Sequence, residues 1–264
     1  MKDLRKEKKL CYYFCMKLNF EINRDYLIAH TIWCWDNERF SSSTKHRADL
    51  LKFINAVWDN HRSTYELLSG RMLPNSFVTS KQPFNSLKTV ADELELAMDQ
   101  IELTPEYRKL FDQTKNYLKI CQTQWQKNLD QTISIIKELT NLNLDRELTI
   151  IITHPSLRNG YNLGQINNNY LIAWGTTEKW PNYITVYLWH EILHSYFDSN
   201  NTTHALIQLI TDNELRIRLN GGQYPPFEGH SYLIDKMNEI LPSWKEYLLS
   251  SNKDIHSFEK SLSK

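Results

Sequence analysis

Polar and apolar residues alternate from Lys17 to Ile22, a period of two that predicts a short strand. From Asp25 the pattern turns helical, with aromatics at Trp33 and Trp35. Ser42 or Ser43 can cap a helix running from about Thr44 to Leu68, and another is expected from Ser86 to Ile101. Thr104-Pro105-Glu106 is a helix start, a capping Thr with Pro in the first turn, and the helical pattern behind it continues to about Leu139. Near residue 146 the character changes. The β-branched run from Leu148 to Thr153 reads as a buried strand ending at His154-Pro155. Gln165 to Trp174 reads as a hairpin turning at Asn167-Asn168-Asn169. Helices are expected from Pro181 to about Phe197, from Thr203 to about Leu219 with a stop at Gly221-Gly222, and from about residue 231 to 249.

Glycine placement sharpens the division. Of seven glycines only Gly70 lies in the first 150 residues, so shaped loops belong to the second half. The expected fold class is α+β and predominantly helical: a helical region over 1–145, then a smaller domain over 146–264 with a short sheet.

Composition narrows the partners. The chain has 264 residues with Lys+Arg and Asp+Glu balanced at 31 each, which gives it no broad electrostatic claim on nucleic acid or anionic membrane. The basic cluster from Lys2 to Lys9 is offset by Asp3 and Glu7 and reads as a solvated terminus. No stretch approaches the roughly 20 apolar residues of a membrane span. The run from Leu10 to Met16 is at the short limit for a secretion signal and has no small-residue cleavage site behind it, so a cytoplasmic protein is expected. Cys11, Cys15, Cys34 and Cys121 form no Cys-x-x-Cys pair and read as reduced cysteines among aromatics.

The chemistry concentrates at His190-Glu191-Ile192-Leu193-His194. On a helix, residues four apart lie about 40° apart around the axis, so both imidazoles face one ion and Glu191 stands beside it. From Val186 to Phe197 the only charge is Glu191, and a buried carboxylate between two histidines needs a partner. His30, His46, His61, His154 and His256 show no ligand spacing.

With its H-E-x-x-H helix and an Asn213-Glu214 pair on the next expected helix, 20 residues after His194, the chain resembles the gluzincin group of zinc peptidases over roughly residues 147–232. The resemblance implies one zinc ion per chain, held by His190, His194 and Glu214, with Glu191 as general base. It also implies an oxyanion donor beyond the glutamate helix, among Tyr224, His230 and Tyr232, with His230 the first choice because Gly229 precedes it. It further implies a peptide substrate pairing with an exposed sheet edge at Tyr170 to Trp174, which makes Leu171, Ala173, Trp174 and Tyr224 the expected substrate contacts. The implied activity is peptide-bond hydrolysis on a peptide or protein substrate. The Gly-Met-Glu-Asn type signature of the group's aminopeptidases is absent, which favours an endopeptidase of narrow range.

One departure stands out: Arg218 occupies the place where the thermolysin-like pattern has an Asp supporting a zinc-bound His. His204 is the main rival third ligand, with Asp198 and Asp212 behind it. A metzincin third His is excluded, since Asn200 holds its place and no Gly precedes it. A zinc-binding regulatory or interaction protein without turnover stays open as the alternative. The helical half would cover the cleft, recognise a substrate or act as an inhibitory segment.

Overall fold

The structure is a computed structural model, described here for residues 16–70, 91–222 and 229–262. Its centre is one four-stranded sheet made of β1 (Lys17–Glu21), β2 (Glu147–Ile152), β3 (Asn159–Ile166) and β4 (Asn169–Gly175), in the order β1-β2-β4-β3. β1, β2 and β4 run parallel, and β3 returns antiparallel along β4. β2 is covered on both faces, which is why Leu148 to Ile152 reads as an unbroken apolar run. Alternate residues serve two cores. Leu148, Ile150, Ile152, Ile172 and Trp174 enter one; Ile151, Leu171 and Ala173 enter the other.

Helices cover both faces. The second core is closed by α1 (Arg24–Asp36), α2 (Arg47–Asn60), α3 (Arg62–Ser69), α4 (Ala91–Glu102) and the start of α5 (Pro105–Thr140). The first takes the rest of α5 together with α6 (Tyr183–Leu193), α7 (Asn201–Gln208), a π-helix (Leu209–Leu215), α8 (Arg216–Asn220), α9 (Ile234–Leu249) and α10 (Ile255–Leu262). α5 runs unbroken for 36 residues and contributes to both cores. Thr104 caps it as expected, accepting the Tyr107 N–H at 3.2 Å, with Pro105 in the first turn. The chain is thus α+β and predominantly helical, and among the described residues no helix is long and apolar enough to cross a membrane. The boundary expected at 145/146 falls between α5 and β2, and β1 pairs across it with β2.

Three expected elements differ. The helix expected over 44–68 is two helices, broken where His61 takes φ −139° and ψ 49°. The break lets α3 turn onto α1, with Trp58 meeting Tyr65 edge-on at 5.0 Å. The helix expected over 203–219 becomes α7, the π-helix and α8. β3 begins at Asn159, before the expected hairpin, because pairing with β4 holds a Gly- and Asn-rich segment of weak strand propensity extended. The hairpin turn is as read: Asn167 and Asn168 both have positive φ, the form a two-residue turn requires. α10 was not anticipated. The start of the helix expected at Ser86, and Cys11 and Cys15, lie outside the described residues.

Candidate metal centre

α6 carries the motif and is buried nearly all round. Ile184, Val186, Leu188, Trp189, Ile192 and Leu193 are all fully covered, which accounts for the want of charge along it. Its start is pinned to α5: the Asn128 amide donates to Asn182 Oδ1 and to Thr185 Oγ1, each at 3.0 Å. Trp125 of α5 packs on Trp189 at 5.5 Å between ring centroids. The helix ends at Leu193, earlier than expected, with His194 as its C-terminal cap.

His190 and His194 face the same space, Nε2 to Nε2 at 3.2 Å. His204 arrives on α7, whose Asn200 cap accepts the Thr203 N–H at 2.9 Å, and its Nε2 stands 3.1 Å from His190 Nε2. His230 closes the cluster, its ring centroid 4.9 Å from that of His204 and 6.2 Å from that of His190. Donor atoms of His190, His204 and His230 all lie within 4.8 Å of one another. Two nitrogens bound to one tetrahedral zinc at about 2.0–2.1 Å stand about 3.3–3.4 Å apart, so the 3.1 and 3.2 Å separations match what such an ion needs.

Behind the cluster, His190 Nδ1 donates to Asp212 Oδ2 at 3.0 Å, with both side chains buried. That bond leaves the neutral His190 with its Nε2 lone pair pointing at the other histidines. Tyr232 Oη lies 3.5 Å from His204 Nδ1 on the outer side. Burial, reinforced by the neighbouring imidazoles, lowers His194 and His204 to about 3, so both stay neutral and able to bind a cation. Burial opposes a charge on His190, but Asp212 raises it nonetheless. Glu191 is pushed up to about 6, chiefly by burial. Its carboxylate lies against β3, where a Cβ on Gly160 would come within 3.2 Å of Oε1.

A cleft of about 420 Å³ opens on the His190 and His230 side of this cluster, lined also by Glu191, Asp212, Arg39, Arg158, Asn159, Gly160, Trp174 and Gln208. Burial lowers His230, with Arg158 adding to the effect and Asp212 opposing it.

Several expected roles fall elsewhere. Glu214 is not brought into the histidine cluster. Its Oε2 accepts from Arg218 Nε at 3.4 Å, and Arg218 also bonds Glu138 at 2.8 Å. Burial raises Glu214, and Arg218 partly offsets this. Arg218, read as a departure from the family pattern, is therefore the partner of the glutamate expected to bind zinc. The support that pattern asks of an Asp at this place is given to His190 by Asp212.

β4 is not an exposed edge either. It pairs with β2 on one side and β3 on the other, so Leu171 and Ala173 are residues of the second core, and Trp174 alone of the three lines the cleft. The edge strand beside α6 is β3, whose Asn159 and Gly160 line the cleft. Its short Gly- and Asn-rich sequence carried no strand signal. Tyr224 lies outside the described residues.

No protein-family model matches the chain, and neither curated proteins nor solved structures gave a match.

Proposed function

We propose that this chain is a zinc-dependent peptidase whose metal is held by His190, His194 and His204, with His204 in the place the family resemblance gives to Glu214. The observation that carries the reading is the convergence of three imidazole Nε2 atoms, 3.1 and 3.2 Å from His190 to its two neighbours, backed by Asp212. A set of three histidine nitrogens would be that of a catalytic rather than a structural zinc, provided that His230, whose donor atom lies within 4.8 Å of those of His190 and His204, stays off the metal. A zinc ion held by these residues would lower the pKa of a bound water toward about 7 and polarise a carbonyl.

The chain's own residues supply the rest. Glu191, next to His190 on α6 and on the cleft wall, would accept the attacking water's proton and return it to the leaving amine. His230, on the cleft wall and kept neutral by its surroundings, can donate an N–H to the tetrahedral oxyanion. The backbone of β3, the outermost strand among the described residues, offers a peptide a sheet edge beside Glu191.

The test is metal content by mass spectrometry of wild type, His204→Ala and Glu214→Gln, followed by cleavage of a peptide library against a Glu191→Gln control. One zinc per chain, lost in His204→Ala and retained in Glu214→Gln, with cleavage abolished by Glu191→Gln, is the expected result. Loss of zinc in Glu214→Gln with retention in His204→Ala would replace His204 by Glu214. Zinc without cleavage would leave a metal-holding protein without turnover. No zinc after supply during expression sinks the reading.

A further inference from the structure

Two cations share the cleft with His190 and His230. Arg39 follows α1, and its guanidinium packs over the rings of Trp33 at 5.1 Å and Tyr161 at 5.9 Å. Arg158 immediately precedes β3, and its backbone N–H donates to the Arg39 carbonyl at 3.0 Å, tying the two segments together. Both line the cleft at the β3 end, where Gly160 meets Glu191. Asp212 is engaged with His190, and among the described residues no ion pair joins Glu178 or Glu191 to either arginine.

Below them lies a second signal. Gln208 is fully buried and reaches the cleft, yet neither its amide oxygen nor its nitrogen has a hydrogen-bond partner among the described residues. A buried amide left unpaired costs free energy, and a ligand bonding to it would recover that cost. The chain carries no net formal charge, so a taste for anions has to be local to this cleft.

We infer that the cleft takes a peptide bearing a carboxylate, which Arg39 and Arg158 hold while the Gln208 amide bonds the peptide backbone. The inference names the substrate class of the peptidase reading above and rests on it. Guanidinium forks match a carboxylate in two parallel bonds, and the stacking of Arg39 on aromatic rings reduces the entropy lost on binding. The carboxylate can come from an Asp or Glu side chain or from the peptide's C-terminus.

Binding is measured on the full chain, zinc-supplied and carrying Glu191→Gln to prevent turnover. Three dye-labelled peptide pools are compared by fluorescence anisotropy: central Glu with an amidated end, central Gln with an amidated end, and central Gln with a free end. The expected result is that one carboxylate pool binds about tenfold more tightly than the neutral pool, the scale of one charge-assisted bond. Which pool wins names the source of the carboxylate. Arg158→Gln and Arg39→Gln each remove the preference, and Arg158→Lys keeps part of it, since the charge stays and the fork is lost. Equal binding of all pools, no measurable binding of any, or a preference surviving both substitutions overturns the inference. Cleavage of the same pools by the Glu191-intact protein judges the peptidase reading separately. Equal cleavage of acidic and neutral pools keeps that reading and overturns this one. Selective binding without zinc or cleavage does the reverse.

Discussion

Asp212 offers the sharpest test of the centre, because it touches the cluster without being one of its converging nitrogens. Its Oδ2 accepts from His190 Nδ1 at 3.0 Å, and both residues are at most 5% exposed. Asp212→Asn keeps the shape and removes the charge that fixes the ring and strengthens it as a ligand. Losing such a partner costs about 10–100-fold in metal affinity. With free zinc at about 100 times the wild-type Kd, binding stabilises the fold by about 2.7 kcal/mol. A 30-fold weaker site retains about 0.9 kcal/mol of that. For a chain of this size the zinc-induced rise in Tm then falls from about 5–11 °C to about 2–4 °C. The assays are zinc affinity by competition with a chromophoric chelator and Tm with and without zinc. An affinity within about threefold of wild type would refute the reasoning, because Asp212 would then not be orienting a ligand.

Three further outcomes follow from the packing around the site. Asn128→Ala removes both amide bonds that pin the start of α6 and is expected to cost about 1–3 kcal/mol in denaturant unfolding, with zinc stoichiometry unchanged. Gly229→Ala forces a φ of +115° on a residue with a Cβ and brings that Cβ within 2.5 Å of Gln208 Oε1. It should destabilise by at least about 1–2 kcal/mol, with partial rescue in the Gly229→Ala/Gln208→Ala double variant. His154 is lowered to about 3, mainly by burial, and its geometry agrees: Nδ1 accepts the Ser156 N–H at 3.2 Å and Nε2 donates to Gln113 at 3.0 Å. Between about pH 6.5 and 3 the unfolded chain binds the proton and the folded one does not, so stability is lost as pH falls through that window. At pH 5 the contribution is about 2 kcal/mol, or about 4–8 °C in Tm. Measured in chelator between pH 7.5 and 5, His154→Gln should shrink the fall in Tm by that amount, and an unchanged fall contradicts the assignment.

The sequence showed most clearly what a single period or a single residue type dictates. β2 was legible because a strand buried on both faces must be apolar throughout, and Leu148 to Ile152 is. The start of α5 was legible because Thr104 and Pro105 do one local job. The Asn-rich turn was legible because few residues other than Gly accept positive φ there. β3 was not, since its extension depends on pairing with β4 rather than on its own residues. The break at His61 was equally hidden, since it serves the packing of α3 on α1, a contact between segments distant in sequence.

The same distinction separates the two parts of the candidate centre. His190, Glu191 and His194 declare themselves because the geometry of one regular helix converts their spacing into convergence. The remaining groups come from a helix whose turn is not regular. The family resemblance made Glu214, on a helix read as regular over 203–219, the expected ligand and left Asp212 a lesser rival. Instead, seven residues wind as a π-helix, an uncommon form found often at functional sites. Within it Asp212 faces His190, while Glu214 is held by Arg218. No hydropathy period announces an i→i+5 turn, because all seven residues are buried whichever way they wind. One available signal was the arginine itself: Arg218 stands four residues beyond Glu214, the spacing at which a helical glutamate and arginine pair. A glutamate so paired is a weaker candidate for a cation than a histidine with no such partner.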